Sequence, residues 1–170
     1  MTGWWRSNAI ALGAIVLLVP ATYAALTWNE WSAILQSSDS RPIALEPGDT
    51  LEYAGATIGP VTSTYSELPS APRGTKIVTV TVKIDPGGPP IICDAPVLHE
   101  SGADPREWKA SSDLGRDWDP DLRTFCSSEE TGPYQLDLDY LVPDDASGPF
   151  TLELGSAAGR PEFVSAVVDP

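Results

Sequence analysis

Between Arg6 and Glu30 the chain carries no charged residue. As a helix the intervening 23 residues span about 34 Å, enough to cross a hydrocarbon core of about 30 Å. Trp4 and Trp5 stand at one end of the run, Trp28 and Trp31 at the other. Tryptophan favours the headgroup zone because its ring is apolar and its N–H needs a partner. A buried globular helix fits poorly, since such a run leaves no polar face for solvent. The reading is therefore a cytoplasmic end over residues 1–7, a transmembrane helix over 8–28 and a juxtamembrane linker over 29–42. An extracytoplasmic domain follows over 43–170. Arg6 on the N-terminal side points to a cytoplasmic N-terminus, with the chain after the span outside. The alternative is a signal peptide. Ala9 to Val19 would be its apolar region, Pro20 would end its helix, and Thr22 to Ala24 would carry small residues at a cleavage point near Ala24. No cysteine adjoins the run, so a lipid anchor is not indicated.

Charge narrows the partners. Setting Arg6, Glu30 and Asp39 aside from the totals of 10 basic and 24 acidic residues leaves 9 and 22 over Arg41 to Pro170, a net charge of −13. Such a domain repels phosphate backbones and anionic headgroups, so no nucleic-acid partner is expected. The charge suits solubility, cations or a basic partner.

After Pro42 the period changes. "TKIVTVTVKID", Thr75 to Asp85, sets Val78, Val80, Val82 and Ile84 on one face and Thr79, Thr81 and Lys83 on the other. "YQLDLDYLVP", Tyr134 to Pro143, alternates in the same way. A period of two means one buried and one wet face. Further strands are expected in Leu51–Gly59, Ile91–Glu100, Arg106–Ser111, Phe150–Gly155 and Glu162–Asp169, separated by turn residues such as "EPGDT", "PGGPP" and "DDASGP". Seven or eight short strands at this spacing predict an all-β fold, an immunoglobulin-like antiparallel β-sandwich.

Three stretches, "PGDTLEYAGATIG", "TKIVTVTVKID" and "YLVPDDASGPFTLEL", carry a resemblance. Together they resemble small bacterial membrane-anchored or exported proteins with a telokin-like, immunoglobulin-like domain. The resemblance implies a fold and a location outside the cytoplasm. It implies no reaction and supplies no catalytic residues.

Cys93 and Cys126 are the only cysteines, and outside the cytoplasm they are expected to pair. Closing that loop stabilises by about 3–4 kcal/mol in the chain-entropy account. The spacing is short for an inter-sheet bridge, so the bond should staple one segment. Within it, "DLGRDWDPDLRTFC" alternates Asp117, Asp119 and Asp121, the candidate ligands for a calcium ion. An EF-hand does not fit: Leu122 stands at the glycine position and Ser128 at the closing glutamate. Arg116 and Arg123 flank these carboxylates and can neutralise them. Asp137 and Asp139 read as the wet side of a strand rather than a catalytic pair. His99, the one histidine, has no G-x-S-x-G elbow or ligand set to join and reads as a surface residue. Trp108 and Trp118 with Phe125 read as a minor core under the disulfide, or as an exposed aromatic patch. No phosphate-binding loop occurs, and no cofactor or enzymatic reaction is expected. The expected role is a membrane-held binding or structural accessory to an envelope protein. A secreted binding module, or an envelope enzyme or calcium-binding domain joining His99 to the Asp117–Asp121 loop, are the alternatives.

Overall fold

The structure, a computed structural model, describes residues 2–37, 40–102, 105–112, 114–117, 119–120 and 122–170; within 2–37 it describes the side chains of residues 3 and 8–28. The chain divides into two compact units, Met1–Ser38 and Asp39–Pro170.

The first unit is one helix, α1, Thr2–Ser37. Its apolar window, Asn8–Trp28, has a mean hydropathy of 2.2 and no buried share. Leu17 and Leu18, on neighbouring faces, are both exposed, as are Ile10 and Leu26. An apolar helix uncovered on every side is at home only in apolar surroundings. A membrane anchor and a signal sequence both meet this description. The helix runs through Pro20, where the signal-peptide alternative placed its end. Farther along the helix the Thr22 and Thr27 hydroxyls donate to the carbonyls of Leu18 and Tyr23, at 2.7 Å each, which satisfies these polar groups within an apolar stretch.

The second unit is built of strands: β1 Arg41–Leu45, β2 Leu51–Tyr53, β3 Ala56–Ser66, β4 Thr75–Asp85, β5 Val97–Glu100, β6 Glu107–Lys109, β7 Tyr134–Pro143, β8 Phe150–Gly155 and β9 Glu162–Val168. They form two sheets, ordered β1-β9-β8-β5-β6 and β2-β3-β4-β7. Val78, Val80, Val82 and Ile84 meet Leu136, Leu138 and Tyr140 from β7 and Leu98, Phe150, Leu152 and Leu154 from the other sheet in one apolar cluster. Each fully buried aliphatic or aromatic side chain of this kind stabilises by about 1.5–3 kcal/mol.

Several boundaries differ from the sequence expectation, each for a physical reason. The expected linker 29–42 is taken up at both ends, by α1 to Ser37 and by β1 from Arg41. The backbone N–H groups of Ser40 and Arg41 both donate to the Pro161 carbonyl, at 2.9 and 3.0 Å. Pro42, lacking a donor, is tolerated because β1 is an edge strand. β1 runs parallel to β9, so the domain is not wholly antiparallel. Its partner lies at the far end of the chain, and no hairpin dictates its direction. Leu51–Gly59 breaks into a hairpin. Ala54 and Gly55 both take positive φ, 51° and 84°, in the two-residue turn that matches strand twist. β3 then continues past Gly59 and Pro60 to Ser66, because a register shift between Ile58 and Val61 absorbs them. In Ile91–Glu100 only Val97–Glu100 is strand. Pro90 and Pro96 remove ladder donors, and Ile92 is held by Ser156 Oγ instead, at 2.8 Å.

Two polar pins fix the ends of the domain. The Tyr53 hydroxyl donates to the Glu162 carbonyl and accepts from the Ser156 N–H, both at 2.8 Å. A Cβ at Gly159 would overlap the Tyr53 ring, so glycine permits this approach. At the other pin Arg106 donates to both Glu100 oxygens, at 2.6 and 3.1 Å, and to Asp145 at 3.1 Å. The Ser147 N–H also donates to Glu100, at 2.9 Å. These bonds tie the β5–β6 hairpin to the β7–β8 turn. The Arg106 hydrogen bond, then that from Ser147, hold the Glu100 carboxyl below its ordinary value of 4.5.

Tyr53→Phe should cost about 1–3 kcal/mol in urea unfolding, the range for stranding buried backbone groups; an unchanged midpoint would show that the pin is idle. For Glu100 the carboxylate is favoured in the folded state. The advantage of wild type over Glu100→Gln should be full above pH 4.5 and vanish as pH falls through the lowered folded value. Denaturation midpoints of the two proteins, compared from pH 7 to pH 3, read this directly.

Candidate functional site

β7 ends the four-stranded sheet, and its outer edge would present unpaired backbone groups. The long connection from β6 to β7 covers it. The Asp137 N–H donates to the Arg123 carbonyl and the Ser111 N–H donates to the Asp139 carbonyl, both at 2.8 Å. Arg123 forms an isolated parallel bridge with Leu136. Leu114 is buried, and its carbonyl accepts from the Ser70 N–H at 3.2 Å. Ile77 on β4 is buried as well, yet neither it nor Leu114 belongs to the main apolar cluster. The outward face of this sheet is therefore partly covered.

That cover changes the standing of Asp139. It points away from the core, as the alternation requires, but it is only 7 % exposed and is not on a wet face. The Arg116 guanidinium places a fork on both of its oxygens. The Thr79 hydroxyl donates to Asp139 Oδ1 at 2.6 Å and accepts from Ser66 Oγ at 2.8 Å. Next along the face, Asp137 accepts from the Thr81 hydroxyl at 2.6 Å and from the Gln135 amide at 3.0 Å. The carboxylate raises the Arg116 pKa above its ordinary value, against the opposing effect of burial. Both aspartates are committed to structure, and neither is arranged for proton transfer.

The disulfide between Cys93 and Cys126, with Cα atoms 5.5 Å apart, fastens the far end of this connection to the segment before β5. Arg123 also folds back inside the connection, onto Glu130 at 2.8 Å and the Pro120 carbonyl at 2.6 Å. Of the two arginines flanking the acidic triplet, Arg116 bonds to Asp139 and Arg123 to Glu130. Asp117 and Asp119 are exposed and line a cavity of about 450 Å³ with Leu68, Arg116, Pro120 and Leu122. Asp121 and Trp118 lie outside the described residues. Among the described residues no three carboxylate, imidazole or thiol groups converge as metal ligands do.

The structure does not bring His99 to this loop. His99 sits within β5 of the other sheet, its Nε2 3.2 Å from Glu153 Oε2. With Leu98, Leu152 and Leu154 pointing into the core, His99 and Glu153 share the outward face of the five-stranded sheet. The aspartates face outward from the opposite sheet. Trp108, like Cys93 and Cys126, is partly buried against the main apolar cluster. It packs edge-on against Phe150 of the main core, with centroids 6.1 Å apart, and Arg106 lies 5.6 Å from its ring centre. Phe125 remains exposed, at 67 %, beside Cys126, and Ile92 is exposed, at 66 %, beside Cys93. Sequence reasoning did not single out Ile92, although it adjoins a cysteine.

No family profile matches the chain, and no curated protein matches it. A solved structure, the X-ray structure of Northeast Structural Genomics Consortium target SoR45, is similar over 68 % of this chain and 83 % of that one. The identity is 16 % and the TM-score 0.33, a likeness too low to bear on fold or activity.

Arg116→Ala leaves the Asp139 carboxylate buried beside Thr79 alone. Its expected cost is about 2–4 kcal/mol, somewhat below a fully buried pair because Arg116 is partly exposed. A double-mutant cycle with Asp139→Ala should return a coupling above about 1 kcal/mol; additive losses would mean that the fork does not hold the connection down.

Proposed function

We propose that this chain is a membrane-anchored binding module. α1 crosses the membrane with its N-terminus in the cytoplasm, and an immunoglobulin-like β-sandwich stands outside as an accessory to another envelope protein. The observation that carries the reading is the uncovered apolar helix, followed in the chain by a disulfide-bearing β domain. A disulfide fits an oxidising compartment, and either fate of the helix, anchor or signal, leads out of the cytoplasm.

The strand order supports the immunoglobulin-like assignment. The chain crosses between sheets four times, at β1 to β2, β4 to β5, β6 to β7 and β7 to β8, and the first strand lies parallel to the last. The disulfide departs from the antibody pattern, because it joins two connections and not two facing strands. The resemblance to telokin-like exported proteins agrees with this arrangement and supplies no reaction. Polar groups with a chemical look, Asp137, Asp139 and Glu100, are tied into structural bonds. A binding role is therefore favoured over an enzymatic one. The continuation of α1 past Ala24 and through Pro20 favours an uncleaved anchor over a secreted module.

Intact mass of the unreduced protein, taken from separated membrane and soluble fractions, tests the anchor. The expected result is the full 18.1 kDa chain in the membrane fraction. A soluble species beginning near Ala25 would overturn the anchored reading in favour of the secreted one.

A further inference from the structure

β2 covers only the start of β3. Its three residues pair with Ala56, Thr57 and Ile58, while β3 runs on to Ser66 with β4 on its other side. Among the described residues no backbone hydrogen bond from elsewhere reaches Val61–Ser66. β1 stops short in the same way: its pairing ends with Leu45 opposite Ala166, and β9 continues to Val168. Both sheets of the domain are therefore open at this corner. One groove of about 320 Å³ joins them, lined by Val61, Thr62 and Ser63 of β3 and by Val167 and Val168 of β9. An open edge is a template for another strand, and proteins guard such edges with proline or charge. Val61–Ser66, "VTSTYS", has neither, and β3 is the one described strand with no charged residue.

We propose that two copies of this chain pair through these edges, β3 antiparallel to β3. The pairing goes beyond the accessory role and holds whether α1 is retained or cleaved. An open edge calls for extended backbone, and the side chains of this edge fit their own copy. With Ser63 opposite Ser63 of the second copy, Val61 meets Tyr65 and Thr62 meets Thr64 across the contact. Aromatic with β-branched and threonine with threonine are stabilising cross-strand pairs, and no charge faces a like charge. The faces agree as well. Val61, Ser63 and Tyr65 lie opposite Val82, Val80 and Val78, so they share the core side of the sheet. Tyr65, 45 % exposed, thereby falls beside Val61 of the second copy, which lines the groove. Each copy supplies the same ring and the same groove, as a two-fold contact requires. The rest of the domain is acidic and repels its double, so its one uncharged strand is where two copies can meet.

The test uses the full chain, its disulfide intact, in zwitterionic detergent. Residues directly opposite in an antiparallel pair have Cα atoms about 4.5–5.5 Å apart, a distance that a disulfide spans. Under mild oxidation Ser63→Cys should give a covalent dimer. Lys109→Cys, exposed on the edge strand β6 of the other sheet, should not. Thr62→Glu with Thr64→Glu sets carboxylates opposite each other twice, and should weaken dimerisation in sedimentation equilibrium by about fivefold or more. Thr62→Lys with Thr64→Glu turns the same two pairs into ion pairs and should restore it. Thr62 and Thr64 are exposed, and melting temperatures matching that of wild type establish that both variants fold. A monomeric wild type, equal cross-linking at both cysteines, or a dimer indifferent to the paired glutamates would each overturn the proposal. Loss of the dimer in both double variants would overturn the register on which it rests.

Discussion

Ten consecutive residue pairs join β4 to β7, from Thr75 opposite Pro143 to Ile84 opposite Tyr134. Residues directly opposite share a face of the sheet, so this one register sorts the chemistry of the domain. Val78 and Tyr140, Val80 and Leu138, and Val82 and Leu136 fall inward together and build half of the core. Thr79 and Asp139, and Thr81 and Asp137, fall outward together and become hydrogen-bonded pairs. A slip of one residue would place carboxylates in the core and strip the apolar cluster of its contacts.

The same pairing creates a liability and fixes how it is met. Because β7 is last in its sheet, its outer edge needs a cover. The β6–β7 connection provides one without forming a regular strand, through two backbone bonds, the Arg116 fork and the buried Leu114. The disulfide anchors that cover at its far end. Its position explains why Ile92 and Phe125 can stand exposed yet ordered: each is one residue from a covalent tie.

Much of the domain was legible in the alternation of β4 and β7, in the turn residues before β8 and in the closing strand. Where the pattern misled, proline and glycine were responsible. Gly59-Pro60 looked like a strand end, but a bulge carried β3 through it. Pro20 would end the helix of a signal peptide, but the helix runs through it. Periodicity registers such residues as breaks and is blind to the bonds that bridge them. The parallel β1–β9 pair was illegible for another reason. It unites the two ends of the domain, and local pattern says nothing about which distant edge a strand will join.

By itself the sequence determined the uncharged run from Asn8 to Trp28, the two-residue period of the main strands, the acidity of the domain and the opportunity for one disulfide. These are properties of composition and spacing, and each acts through solvent or over neighbouring residues. Only the tertiary structure decided that Asp139 is buried beneath Arg116, that His99 lies on the sheet opposite the outward aspartates, and that Trp108 packs on Phe150. Each of those outcomes depends on which residues, far apart in the chain, share a face or an edge. That is settled by strand register and covalent closure together, and no local window of sequence contains it.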